Sequence, residues 1–215
     1  TMPESMSIER RKMMALFGAK LELTPASEGM KGAYERALAL HKEIKNSFIP
    51  SQFENLANKF AHRENTAVEI LNDLDGKIDY FVAGFGTSGT ISGVGEVLKE
   101  KFADKVKIIA VEPAASPLLS EGKAGGHKIQ GIGANFIPKI LNQSVIDEIQ
   151  TISNEDAIAT ARELALKNGL MVGISSGANV FIASKIAKAN PDKIIVTMLN
   201  DTAERYLSTD LFAGI

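Results

Sequence analysis

A loop of glycines and hydroxyl residues between an apolar run and a helix-like segment constrains this chain more than any other feature. The apolar run Tyr80–Ala83 is followed by G-F-G-T-S-G-T at residues 84–90, and the helix-like segment Ile91–Phe102 comes next. Backbone N–H groups and the positive end of a helix bind anions at such a loop, since glycines leave the backbone accessible. We therefore expect a βαβ unit that holds a phosphorylated small molecule at this loop.

Two kinds of phosphate ligand fit the loop. The glycine spacing at residues 84–89 matches the dinucleotide fingerprint G-x-G-x-x-G, and Glu112 ends the next predicted strand, about where such folds place an acid for the ribose. A phosphate monoester instead presents three free oxygens, which suit three hydroxyl donors. Those donors are Thr87, Ser88 and Thr90. The hydroxyl groups modestly favour the monoester, and a plain turn without a ligand is the third interpretation.

Composition excludes several classes of protein. The chain has 215 residues, enough for one large or two small domains, and 45% of them are hydrophobic. Its net charge is −2 with no basic stripe, so we expect no nucleic-acid partner. It has no cysteine, which excludes disulfides and thiolate metal sites and agrees with a reducing cytoplasm. We also expect no metal site, because the histidines lack ligand spacing, and no membrane contact, because every apolar stretch is short.

Apolar periodicity and capping residues predict alternating helices and strands. Ser7 is expected to cap the first helix, and Ser153 and Asp156 form a capping box before another. The predicted helices cover Ile8–Phe17, Met30–Lys45, Thr66–Leu74, Ile91–Phe102, 154–167 and 176–190, and the predicted strands cover Lys20–Thr24, Tyr80–Ala83, Val106–Val111 and Ile194–Met198. Residues 114–138 are predicted to be a long loop. The alternation indicates a three-layer α/β fold with a mainly parallel sheet.

Five segments resemble, in the same order, those of the cysteine synthases, also called O-acetylserine sulfhydrylases. They read T-M-P-E-S-M-S-I-E-R-R at 1–11, E-P-A-A-S-P at 112–117, H-K-I-Q-G-I-G-A-N-F-I-P at 127–138, G-I-S-S-G-A at 173–178 and E-R-Y-L-S-T at 204–209. The third segment is highly specific and separates this group from most other enzymes of the same fold that use pyridoxal 5'-phosphate (PLP). The likeness extends from residue 1 to about residue 209.

The resemblance implies the tryptophan-synthase-β-like fold of PLP enzymes in an incomplete form. Residues 1–53 would be the remainder of a small mobile domain, and residues 54–215 would be the large cofactor domain. The loop would bind the phosphate of PLP, a monoester, and Ser175 would face the pyridine nitrogen, which tunes the electron sink. The implied phosphate contacts are Gly86, Thr87, Ser88, Gly89 and Thr90. The alternative for Ser175 is an ordinary helix N-cap.

The same resemblance implies three substrate contacts. Gln52 and Phe53 are similar to the domain crossover of the family, where the glutamine amide reaches the substrate carboxylate. Gly131 lies in a loop at the mouth of the family's active site, where a missing side chain leaves room for the amino acid. From the residues alone, Gln52 is a surface side chain and Gly131 belongs equally to a flexible turn.

The implied reaction is a PLP-dependent β-replacement, in which O-acetyl-L-serine and sulfide give L-cysteine and acetate. No lysine here lies in a context similar to that of the family's Schiff-base lysine, so we assign no catalytic residue in this chain and expect the chain alone to be inactive. The family implies a homodimer and, in many members, binding of the serine acetyltransferase C-terminus. Two alternatives are an NAD-linked oxidoreductase and a truncated non-catalytic module that binds PLP or serine acetyltransferase.

The chain departs from the family pattern at several positions. Ser88 replaces a frequent glycine and adds a hydroxyl to the phosphate loop. Asn135 replaces a common glycine beside the active-site loop, and Asn179 stands where alanine is common. Leu56 and Lys59 occupy the places of two prolines in the usual N-P-A-N-P segment. We expect Asn135 to alter substrate or partner preference, and the missing prolines to loosen the domain hinge.

Overall fold

A computed structural model describes residues 1–215 and contains eight α-helices and six β-strands. The helices are α1 (Ile8–Leu16), α2 (Gly29–Glu43), α3 (Leu56–Ala61), α4 (Ala67–Asp73), α5 (Gly89–Phe102), α6 (Leu118–Glu121), α7 (Asn154–Asn168) and α8 (Ile174–Ala189). The strands are β1 (Met2–Pro3), β2 (Leu23–Thr24), β3 (Tyr80–Gly84), β4 (Lys107–Pro113), β5 (Glu148–Ile152) and β6 (Ile195–Thr197). No helix is both long enough and apolar enough to cross a membrane.

The main sheet has four strands in the order β5-β4-β3-β6, and every neighbouring pair is parallel. In register, Tyr80 of the central strand β3 is opposite Lys107 on one side and Ile195 on the other. Strands β1 and β2 form a separate parallel pair. Because all strands of the main sheet run the same way, the loops that follow them meet at one edge of the sheet.

Alternating side chains of β3 and β4 serve two apolar cores on opposite faces of the sheet. Val82 and Ile109 face the core that α7 and α8 cover. Phe81 and Ile108 face the core that α4 and α5 cover. This period of two is what a strand with both faces buried requires. The predicted three-layer α/β fold with a mainly parallel sheet is therefore confirmed.

Several predicted elements differ from the structure in extent. The strand predicted over Lys20–Thr24 is only β2, and the helix predicted over Thr66–Leu74 begins earlier, because α3 continues through a π-helical segment, His62–Thr66, into α4. Strand β5 was not predicted. The short helix α6 was not predicted either, and it lies inside the loop predicted over residues 114–138. The capping box is confirmed, since Ser153 Oγ accepts a hydrogen bond from the Asp156 N–H at 3.0 Å.

The predicted cap of α1 is wrong. Ser7 occupies the N-cap position, but its side chain makes no capping hydrogen bond. Its hydroxyl instead donates to the carbonyl oxygen of Arg205, 2.6 Å away and 198 positions later in the chain. A tertiary contact has therefore replaced the local cap. The division into residues 1–53 and 54–215 stays a prediction, although neither large apolar core includes a residue before Ala67.

Candidate functional site

The glycine and hydroxyl loop connects β3 to α5 at the carboxyl edge of the parallel sheet. Helix α5 begins at Gly89, and its N-cap residue Ser88 has a left-handed backbone, with φ at 73°, and no side-chain cap. The first N–H groups of a helix have no partner within the helix, and together they carry a partial positive charge. The loop therefore presents backbone donors and a favourable potential to an anion.

The three loop hydroxyls have different surroundings. Ser88 Oγ is buried and has no hydrogen-bond partner. Thr87 Oγ1 accepts from Asn58 Nδ2 at 2.9 Å, and Thr90 Oγ1 lies 3.2 Å from His62 Nε2. A buried hydroxyl without a partner is rare and costly, because it has lost its water without compensation. An acceptor such as a phosphate oxygen would satisfy Ser88.

A second loop, residues 131–136, lies directly against the first. The Gly133 N–H donates to the carbonyl oxygen of Phe85 at 3.0 Å. A Cβ atom on Gly86 would overlap the carbonyl oxygen of Gly131. Gly86 is thus required here by the close approach of two backbones, which no other residue would allow.

Ser175 lies at the same edge of the sheet. It is in the first turn of α8, whose N-cap residue is Gly173, so the interpretation of Ser175 as an N-cap is wrong. Ser175 is 3% exposed, and its Oγ lies 3.4 Å from the position that a Cβ on Gly131 would occupy. The next residue, Ser176, already uses its hydroxyl to accept from the Asn200 N–H at 3.0 Å. The fold therefore brings Ser175, Gly131 and the glycine and hydroxyl loop together.

The two other predicted site residues, Gln52 and Phe53, differ in burial. Phe53 is 6% exposed and packs edge-to-face against Phe136, with ring centroids 4.8 Å apart. The side chain of Gln52 is exposed. The backbone carbonyl oxygen of Gln52 accepts a hydrogen bond from Asn58 Nδ2 at 2.9 Å. Asn58 therefore holds both the crossover segment at Gln52 and the loop hydroxyl of Thr87. Asn58 was not predicted from the sequence, because a contact across 29 residues leaves no local pattern.

Two half-buried histidines support the loops. Burial lowers the pKa of His62, so its ring is held neutral beside Thr90. Burial also lowers the pKa of His127, against a smaller opposite effect of its hydrogen bond to the Gly133 carbonyl oxygen. His127 Nε2 lies 2.9 Å from that oxygen and fixes the turn of the second loop. Neutral rings fit a site that receives an anion through hydrogen bonds rather than through a cationic side chain.

Glu112, the acid that a dinucleotide site would use, is occupied by hydrogen bonds within the protein. It is fully buried, and its carboxylate accepts from the N–H groups of Leu119 at 2.8 Å and Ser120 at 3.1 Å. These bonds satisfy both oxygens within the protein and fix the turn into α6. A nucleoside ribose would have no acid here, which removes the second feature on which the dinucleotide interpretation depended.

Comparison with known proteins agrees with this geometry. The family model for pyridoxal-phosphate dependent enzymes matches residues 1–201. Cysteine synthase B of Campylobacter jejuni is 72% identical over 212 residues, which cover 99% of this chain and 70% of that protein. A crystal structure of a mutant O-ureido-L-serine synthase with bound O-ureido-L-serine has a TM-score of 0.95 at 43% identity, covering 100% of this chain and 67% of that one.

A third similar protein is isoform 3 of O-acetyl serine sulfhydrylase from Entamoeba histolytica. Its crystal structure has a TM-score of 0.88 at 45% identity and covers 100% of this chain and 64% of that one. The family match, the identity to cysteine synthase B and these structural likenesses extend over the fold, both site loops and the start of α8. On these grounds the chain belongs to the pyridoxal-phosphate dependent enzymes and, among them, to the cysteine synthases.

Proposed function

We propose that this chain provides the cofactor platform of a cysteine synthase, which converts O-acetyl-L-serine and sulfide into L-cysteine and acetate with PLP. The single observation that supports it most is Ser88 Oγ, a buried hydroxyl without a partner at the N-terminus of α5. A phosphate monoester would satisfy this hydroxyl and the free N–H groups of the helix at once. The residues present therefore fit the group that the family requires.

The proposed phosphate contacts are the backbone and hydroxyl groups of residues 86–90. Ser88 donates its unpaired hydroxyl, and Thr87 and Thr90 contribute hydroxyls that Asn58 and His62 keep in place. Because Gly86 has no side chain, the second loop lies close enough to form one side of the site. Each of these contacts would be with the phosphate dianion of PLP in a partly desolvated site, and charge-assisted hydrogen bonds of this kind are stronger than neutral ones.

Ser175 is the proposed partner of the pyridine nitrogen. PLP, when bound, supplies an electron sink that lets acetate leave from the β-carbon of the amino acid and sulfide add there. A serine hydroxyl donates to an unprotonated nitrogen, and the positive end of α8 disfavours protonation of the ring. Ser175 thus moderates the sink, which favours loss of the β-substituent over transamination.

The substrate side of the site is proposed from the second loop and the crossover. Gly131 leaves an open surface beside Ser175, where the amino acid would lie. The exposed amide of Gln52 is free to bind a carboxylate, while Phe53 anchors the crossover through the aromatic contact with Phe136. These residues position the substrate, and none of them moves a proton.

We also propose that the lysine that binds PLP covalently is not one of the lysines of this chain. Several of those lysines form hydrogen bonds through Nζ, and none of these bonds is with the phosphate loop or with Ser175. Their partners are Glu96, Val106, Asp147, Glu121, Asp210, Glu163 and Asp79. On this proposal the chain alone binds and orients PLP, and it does not turn over substrate.

The test is a PLP titration of the full-length protein that contains this chain, followed by borohydride reduction and peptide mapping. Ser88→Ala should weaken PLP binding about tenfold or more, the usual effect of losing one hydrogen bond to a charged group. Ser184→Ala, an exposed hydroxyl on α8, is the matched control and should bind like the wild type. Equal affinity of both variants, or NADH binding without PLP, would overturn the proposal. A reduced adduct on a lysine of this chain would overturn only the statement about lysine.

The homodimer, the complex with the serine acetyltransferase C-terminus and a cytoplasmic location remain proposals from the family likeness. Sedimentation of the full-length protein tests the dimer directly. A peptide that ends in isoleucine tests the acetyltransferase contact, because it should compete with O-acetyl-L-serine if it enters the substrate cleft. A peptide without effect on the KM for O-acetyl-L-serine would remove that partner.

A further inference from the structure

Helix α2 begins without a cap of its own. Its N-cap residue, Glu28, makes no capping hydrogen bond with its side chain. Helices usually satisfy one of their first N–H groups with the side chain of the N-cap residue, because those groups have no carbonyl partner within the helix. In α2 the N–H of Lys31, the third helical residue, depends on some other acceptor.

That acceptor is the side chain of Asn135, 104 positions later in the chain. Its Oδ1 accepts from the Lys31 N–H at 2.9 Å, and its Nδ2 donates to the carbonyl oxygen of Glu28 at 2.9 Å. One end of the amide faces a donor and the other an acceptor, so only one orientation satisfies both. Asn135 therefore caps α2 from another part of the molecule.

The start of α2 is shaped to receive this side chain. Gly29 has φ at +58°, and a Cβ on it would lie 2.8 Å from Asn135 Nδ2. An alanine there would be strained in its backbone and would also displace the amide. Gly29 and Asn135 are therefore complementary in shape as well as in hydrogen bonding.

Asn135 belongs to the second site loop, residues 131–136. Within that loop Gly133 hydrogen-bonds to Phe85, and Gly131 lies so close to Gly86 and Ser175 that an added Cβ atom would clash with the first pair and contact the second. The neighbouring Phe136 stacks on Tyr34 of α2, with ring centroids 6.0 Å apart. The loop thus contacts the cofactor platform at one end and α2 at the other.

We propose that Asn135 is a positioning residue that ties the substrate-lining loop to the N-terminus of α2 and so keeps the loop ordered for substrate. Its side-chain hydrogen bonds are with the Lys31 N–H and the Glu28 carbonyl oxygen, so it acts on the substrate through the position of Gly131. The inference goes beyond the proposed function, and only its kinetic part depends on that function.

Loss of the Asn135 side-chain amide should have two separate effects, one on hydrogen exchange at the start of α2 and one on substrate binding. The Lys31 N–H would lose its only acceptor, so its hydrogen exchange should accelerate about tenfold, the usual consequence of removing a helix cap. The loop would become mobile, and substrate binding would then have to order it. The KM for O-acetyl-L-serine should rise about threefold to tenfold, while kcat and PLP affinity stay within about twofold of the wild type.

The experiment compares Asn135→Ala, Asn135→Asp and the control Asn65→Ala in the full-length protein. Asn65 is a suitable control because its side chain bonds only to the nearby Ala61 carbonyl oxygen. Asn135→Asp keeps the acceptor for Lys31 but places an oxygen against the Glu28 carbonyl, so it should not restore the wild type. Hydrogen exchange at the start of α2 and steady-state kinetics are measured on the same samples.

Two results would overturn the inference. Unchanged exchange at Lys31 in Asn135→Ala would show that Asn135 does not cap α2. Faster exchange together with an unchanged KM, or with a kcat that falls as much as kcat/KM, would show that the cap does not position the loop for substrate. If the wild type itself lacks activity with O-acetyl-L-serine, the proposed function fails, and the exchange result still decides the cap.

Discussion

The sheet part of the molecule, residues 54–215, and the preceding part, residues 1–53, are stabilised by different kinds of interaction. The sheet part has two apolar cores in which side chains such as Phe81 and Ile109 are at most 1% exposed. Residues 1–53 add nothing to either core, and Leu16, the last residue of α1, and Phe17, its C-cap, are 84% and 82% exposed. Polar contacts join the two parts, among them the Arg10–Asp201 ion pair at 2.8 Å, and the stacking of Phe136 on Tyr34 adds an aromatic contact.

This difference indicates that the two sides of the site are held in place by different interactions. The proposed phosphate loop leads into α5, and Ser175 lies in the first turn of α8. Both helices pack on the sheet, so burial of apolar surface fixes the positions of the loop and of Ser175. The residues before Phe53 are attached through hydrogen bonds and the stacking of Tyr34 on Phe136, and few of their apolar side chains are buried. We therefore expect residues 1–53 to open at a lower free energy than the sheet.

The largest expected effect is on the sheet core. Phe81→Ala should lower the free energy of unfolding by about 3–5 kcal/mol, because it removes a fully buried ring and leaves a cavity. Phe17→Ala, at the exposed C-cap position of α1, should change it by less than about 0.5 kcal/mol. Urea unfolding of both variants measures the contrast, and similar losses in the two would contradict the comparison.

The next effect is on the contact between the two site loops. Gly86→Ala should weaken PLP binding about a hundredfold, because the new Cβ would push the Gly131 backbone away from the platform. The measurement is PLP titration followed by fluorescence. Gly126→Ala is the matched control, since no atom lies within 4 Å of the Cβ it would add. Wild-type affinity in Gly86→Ala would show that the loop contact is not needed for the cofactor.

A smaller effect should appear at the ion pair that joins the two parts. Arg10→Ala leaves the largely buried Asp201 carboxylate with only the Tyr206 hydroxyl, 2.5 Å away, so the free energy of opening residues 1–53 should fall by about 1–2 kcal/mol. Amides of β3 should keep their wild-type protection in native-state hydrogen exchange. The exposed pair Lys167–Glu163 offers the control Lys167→Ala, which should alter neither region. Equal loss of protection in both regions after Arg10→Ala would mean that they unfold as one unit.

The local features of the sheet part were predictable from sequence, and the contacts between distant segments were not. The run from Tyr80 to Phe102 contains strand, loop and helix in order, and the Ser153 cap has its partner three residues away. These signals are local, so periodicity and capping rules capture them. Strand β5 was missed because its sequence, E-I-Q-T-I, mixes polar and apolar residues and is mostly not buried.

Tertiary contacts explain the remaining differences at the site. Ser7 was expected to cap α1, but a carbonyl oxygen 198 positions away takes its hydroxyl. Asn58 and Asn135 act across 29 and 104 positions, and no local pattern distinguishes them from other asparagines. The hydroxyl count of the loop pointed to Ser88, and resemblance to a family pointed to Ser175, whereas only the folded arrangement shows which hydroxyl is unpaired and which residue caps α8.

The smallest expected effect is the pH dependence that His62 adds to the stability of the sheet part. Burial holds the pKa of His62 in the folded protein below its unfolded value of about 6.5. The unfolded chain then binds more protons, so the stability is fully present above about pH 6.5 and is lost as the pH falls through the folded pKa. His62→Gln should therefore lose less stability than the wild type between about pH 7.5 and pH 5, measured by urea unfolding. Some loss should remain in the variant, because burial also lowers the pKa of His127. An identical pH slope in the variant and the wild type would show that the ring beside Thr90 does not resist protonation in the fold.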